Sequence, residues 1–171
     1  MRYSLILALT VFSFSFSQSE NLKVDDIYVK NIKKIANNNK VKKAFKYIID
    51  VEDKTNKNLI ELTEIEAPPF KEEKRAKEFS ERLKLAGIEK VWIDSIGNVI
   101  GLLEGSIGNK NIAIDAHLDT VFPEGTDVKV RIKNDTLFAP GIGDDTRGLA
   151  MILTIAETLI KSDIKPVDNI L

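Results

Sequence analysis

The 171-residue sequence contains no cysteine, which excludes both a disulfide framework and any thiolate metal site. It contains a single histidine, His117. A bound metal would have to be held by that imidazole together with Asp or Glu, a donor set that suits zinc, manganese or cobalt. Neither sign of charge dominates: 25 Lys and Arg stand against 26 Asp and Glu, a net charge of −1. The charges are mixed along the chain rather than blocked, so nothing points to nucleic-acid binding. The apolar stretch Leu5–Phe16 is too short to span a bilayer. What remains is a chain of about one domain, long enough to bury a core.

Arg2 followed by Leu5–Phe16, with the small residues Ser15 and Ser17 at −3 and −1, reads as a cleaved signal peptide over residues 1–17. This predicts a periplasmic or secreted protein with no stable membrane span. An uncleaved N-terminal anchor shares these features, and the lack of cysteine excludes a lipoprotein. Residues 18–54 are rich in Lys and Asn and read as an N-terminal helical extension. Val41, Ala44, Phe45 and Ile48 follow helical spacing, Asn39 is available as a cap, and Asn37–Asn39 divides the segment in two.

The organised domain is expected over residues 55–171. Leu59, Ile60, Leu62 and Ile65 suit a short helix stopped at Ala67–Pro68–Pro69, since the residue before a proline disfavours helix. A second helix is expected from about Lys71 to Ala86, with Arg75, Ala76, Phe79, Leu83 and Ala86 as its buried stripe and Gly87 as its stop. Val91–Ile93 and Val99–Leu103 read as strands joined by a turn at residues 95–98. Val128, Val130 and Ile132 alternate, and after a turn at Asn134–Asp135 the chain returns through Leu137–Phe138. A helix at Leu149–Lys161, apolar on nearly every side, should be buried against the sheet, and Asp168–Leu171 begins another strand. This order predicts an α/β domain, a mixed sheet with helices on its faces.

The candidate site begins at Ile112–Thr120, an apolar run that reads as a buried strand ending in His117 and Asp119. Side chains two apart on a strand share a face. A carboxylate beside an imidazole can hold one ring nitrogen while the other binds a metal. A structural His–Asp hydrogen bond at a strand end is the alternative. The second motif is Gly141–Ile142–Gly143–Asp144–Asp145, a glycine-rich loop leading directly into a helix. Negative charge is favoured there, and one of the two Asp residues can serve only as a cap. Sites in open α/β sheets form at the carboxyl ends of strands, where His117, Asp119 and Asp144 would all lie.

Ala116–Pro123 followed by Pro140–Asp145 resembles the co-catalytic zinc metallopeptidase family that includes peptidase T, bacterial glutamate carboxypeptidase, acetylornithine deacetylase and aminoacylase. Ala67–Pro68–Pro69–Phe70 and the helix after it are similar to the start of peptidase T-like members, and the resemblance runs from about Asn58 to Leu171. It implies that His117 and Asp144 are metal ligands, with Asp144 bridging two ions, and that Asp119 is the catalytic carboxylate that holds the histidine. It also implies a cis peptide at Asp144–Asp145 and two zinc ions per complete site, with cobalt or manganese as substitutes. Thr146–Arg147 departs from the Lys-Gly usual in the family. By the same resemblance a general-base Glu, further ligands including a second His, and an inserted dimerisation domain would follow Leu171. Residues 55–171 would then be the N-terminal portion of a catalytic domain.

The expected function is the N-terminal part of an exported metallopeptidase or amidohydrolase. It would hydrolyse small peptides or N-acyl amino acids with a metal-activated water, and would dimerise at full length. The alternative is a non-catalytic remnant or binding module that keeps the fold, and the 171-residue chain itself is expected to be inactive. An Asp-rich calcium site fits less well, because imidazole is a poor ligand for a hard cation.

Overall fold

The structure, a computed structural model, describes residues 24–171, so the leader expected at residues 1–17 lies outside the described residues. Three helices open the chain: α1 (Asp26–Ala36), α2 (Asn39–Asp50) and α3 (Glu52–Thr63). The Asn triplet separates the first two, as expected from sequence. The cap is Asn38 rather than Asn39: the Asn38 side chain accepts from Lys40 N at 2.8 Å, and Asn39 is already helical. The next connection passes through a turn at Pro69–Phe70, closed by Lys71 N donating to Pro68 O at 3.0 Å, before α4 (Glu73–Leu85).

Strands β1 (Lys90–Ile93) and β2 (Val99–Leu102) form an antiparallel hairpin. Its turn is held by the Asp94 carboxylate, which accepts from Ile96 N at 3.0 Å and Asn98 N at 2.9 Å. Strand β3 (Asn111–Ile112) pairs in parallel with β6 (Asn169–Ile170), and Leu103, just past β2, bridges to Ile170. The spatial order is therefore β1-β2-β6-β3, a mixed sheet. A second hairpin, β4 (Arg131–Lys133) and β5 (Thr136–Phe138), stands apart with Ile132 68% exposed. Helix α5 (Arg147–Lys161) follows the glycine-rich loop.

The core forms where α3, α4 and α5 meet the sheet: Leu62, Phe79, Leu83, Ile88, Leu149 and Leu153 are buried together, with Val91, Val99 and Leu103 packed against them. Each such side chain contributes about 1.5–3 kcal/mol of burial free energy. The N-terminal helices join this core through α5. Tyr47 on α2 donates to Glu157 Oε1 at 2.9 Å, and Lys54 on α3 pairs with Glu157 Oε2 at 2.6 Å. Thr55 and Thr154 share a hydrogen bond of 2.8 Å.

The central strand corrects the sequence expectation. Ile112 is 53% exposed and Ile114 41%, so the run is not buried, and regular strand ends at Ile112. Leu171 N still donates to Ile112 O and Ile114 N to Leu171 O, each at 2.9 Å. Among the described residues β6 is the only strand paired with β3, so one edge of β3 is left uncovered, and Ile112 and Ile114 are exposed. Apolar alternation reports what a strand is suited to meet, not whether a neighbour is present.

Candidate metal site at the edge of the sheet

The chain between α3 and α4 is the seat for the His117 loop. Ala67 O accepts from Thr120 N at 2.8 Å, and Thr120 is buried. The Glu64 carboxylate takes Val130 N at 3.1 Å and Lys129 Nζ at 2.8 Å, and Glu66 takes Gly125 N at 3.3 Å. From below, Arg75 on α4 reaches the same place. Its Nη1 donates to Leu118 O at 2.8 Å, its Nε to Ile65 O at 3.1 Å, and its Nη2 to Ile65 O at 2.5 Å and Thr63 O at 3.5 Å. The side chain is fully buried. Burial pushes its pKa down to about 10, and the nearby Asp119 charge acts in the opposite direction.

Three of the residues singled out from sequence come together above this seat. His117 Nε2 lies 2.9 Å from Asp144 Oδ1. Its Nδ1 lies 2.9 Å from the main-chain oxygen of Asp119 and 3.2 Å from the Asp119 carboxylate. The histidine is therefore held first by the Asp119 carbonyl, with the carboxylate slightly farther off. Both ring nitrogens face acceptors, so both carry a proton in the arrangement that satisfies them best. The hydrogen bond to Asp144 holds His117 above the usual histidine range, against its partial burial, and Asp119 adds to the effect.

The glycine-rich loop places Asp144 and Asp145. Gly141 sits at φ +75°, and a Cβ there would lie 2.6 Å from Thr120 Cγ2, so this position needs glycine for both conformation and space. Thr146 closes the loop by donating from Oγ1 to Gly141 O at 3.0 Å. The Asp144–Asp145 peptide is cis, as the family resemblance implied. The two carboxylates do different things. Asp144 faces His117, whereas Asp145 accepts from Gly148 N at 3.1 Å in the first turn of α5 and from His117 N at 3.3 Å. One Asp of the pair does serve the helix N-terminus, and it also grips the His117 backbone. Sequence reasoning missed that second role of Asp145. It also saw Arg75 only as part of a buried stripe, although a charged residue on an apolar helical face was a signal that could have been followed.

The donor chemistry suits a borderline cation. Tetrahedral zinc bonds of about 2.0–2.2 Å set two donors about 3.3 Å apart, so the His117–Asp144 pair would have to open by about 0.4 Å. An exposed Asp144 side chain can turn that far. Among the described residues, no group of three or more His, Asp or Glu side chains is placed to hold an ion. The pair thus fits as two of the donors to one ion.

A likeness to known proteins follows the same residues. Residues 113–171, the segment carrying His117 and Asp144, match the sequence profile of Peptidase family M20/M25/M40. Among curated relatives, the chain is 41% identical over 101 residues to the Pyrococcus abyssi protein named as a LysW-lysine/LysW-ornithine hydrolase, covering 59% of this chain and 28% of that one. It is 40% identical over 58 residues to carboxypeptidase G2 of Pseudomonas, covering 33% of this chain and 14% of the relative. A tripeptidase from Staphylococcus aureus shares the fold at a TM-score of 0.57 and 22% identity, over 70% of this chain and 35% of that one. The chain therefore spans well under half the length of each of these proteins.

Proposed function

We propose that this chain contributes one part of a two-metal amidohydrolase site acting on small peptides or N-acyl amino acids. The observation that carries the reading is the convergence of His117 Nε2 and Asp144 Oδ1 at 2.9 Å, in a segment that matches a peptidase family. His117 and Asp144 would hold zinc, or cobalt or manganese in its place, with Asp144 presenting a second oxygen to a second ion. A bound ion of this kind polarises an amide carbonyl and lowers the pKa of its water. Asp119 would hold the Nδ1 proton, so that Nε2 is the nitrogen that gives up its proton to bind an ion, while Asp145 fixes the backbone on which the ring turns. The general base and remaining ligands would lie outside these residues. Export to the periplasm or medium, supported by the sequence of residues 1–17, and dimerisation of a longer form complete the proposal.

The two-donor count among the described residues favours a second reading, a non-catalytic module that retains the fold. Zinc titration at equilibrium distinguishes the residue roles. His117→Ala and Asp144→Ala should lose bound zinc, while Asp119→Ala retains much of it. Equal occupancy in all three variants would refute the assignment.

A further inference from the structure

The least economical residue in the structure is Arg75. A buried guanidinium costs several kcal/mol of desolvation unless it is well paired, yet every hydrogen bond it makes is to a main-chain carbonyl: Ile65, Thr63 and Leu118. A methionine of similar reach could fill the same volume without that cost. The carbonyls explain the charge. Leu118 stands between His117 and Asp119, Thr63 ends α3, and Ile65 lies in the seat to which Thr120 is also bonded. Capturing Leu118 O fixes the peptide that joins Leu118 to Asp119. The Asp119 carbonyl is thereby left where it accepts from His117 Nδ1. A planar fork that spans two chain segments does this, whereas the single ammonium of lysine does not.

From this geometry we infer that Arg75 is a positioning residue for the His117 ligand, locking the Leu118 carbonyl against the α3–α4 connection so that the imidazole is presented to the ion in one orientation. The inference rests on the metal reading above. Its consequence is that loss of the fork loosens the loop locally and lowers metal affinity without dissolving the core.

The test is made on the full 171-residue chain with two variants, Arg75→Lys, which keeps a charge, and Arg75→Met, which keeps the packing. Amide hydrogen exchange without metal is followed at Thr120, whose N–H bonds Ala67 O, and at the β1–β2 amides as an internal reference. Zinc affinity is then measured by calorimetry. Both variants should exchange about tenfold or more faster at Thr120 with the β1–β2 amides unchanged. Both should bind zinc about 10- to 100-fold more weakly, the usual effect of losing a residue that orients a ligand. Unchanged exchange at Thr120 in both variants overturns the inference, as does acceleration spread evenly over the whole chain, which would make Arg75 a general stabiliser. Failure of the underlying reading shows separately, as a wild-type chain that takes up no zinc while Thr120 exchange still responds, and that result removes the metal role from Arg75.

Discussion

Gly148→Ala should destabilise this protein although it places alanine in a helix. In an ordinary helical position the change gains up to about 1 kcal/mol. Here a Cβ at residue 148 would lie 2.3 Å from Asp145 Oδ1 and 2.7 Å from its Cγ. The carboxylate must swing away, losing its contacts to Gly148 N at 3.1 Å and His117 N at 3.3 Å. A carboxylate lost from a helix N-terminus costs about 1–2 kcal/mol, which outweighs the gain. The net expectation is a loss of about 0.5–1 kcal/mol in urea unfolding at neutral pH. In an Asp145→Ala background the conflict is absent, so the same Gly148→Ala change should stabilise by up to about 1 kcal/mol, a coupling of about 1.5 kcal/mol between the two positions. If Gly148→Ala stabilises both backgrounds equally, Asp145 does not occupy the helix N-terminus as described.

Three further outcomes follow from other parts of the structure. Leu62→Ala should cost about 2–5 kcal/mol by denaturant unfolding, because Leu62 is fully buried at the centre of the core. Burial raises the Glu157 carboxyl, but Lys54 and Tyr47 outweigh it and hold it below the usual glutamate range. A depressed acid contributes stability above its unfolded pKa that is lost as pH falls through the folded one. Glu157→Gln should therefore flatten the acid limb of the stability curve below about pH 4.5. His117 behaves in the opposite sense: its raised pKa contributes stability below about pH 6.5 that is lost as pH rises through the folded value. Asp144→Asn should lower that pKa, read from the ring proton shifts by NMR.

The parts of this protein that sequence made legible are those set by local chemistry. Helix α4 follows from its apolar spacing and from Gly87, and the first hairpin from the change of period after Ile88. His117 and Asp144 were legible as a pair from the two motifs that carry them, and the structure brings them into contact from the loop after β3 and the loop before α5. What stayed hidden depends on three-dimensional neighbours. Nothing in the run Ile112–Thr120 says how many strands flank it, so its exposure was not foreseen. Arg75 and Asp145 look like a stripe residue and a cap until the chain folds the His117 loop onto both.

Whether His117 ligates a metal is read by titrating zinc into the wild-type chain while following the His117 ring protons. Both ring nitrogens now face acceptors, so an ion must displace the Nε2 proton, and binding should weaken as pH falls. Weak, saturable shifts are expected at His117, reversed by a chelator and lost in Asp144→Ala. Ring resonances that do not move up to millimolar zinc at pH 8 would contradict it.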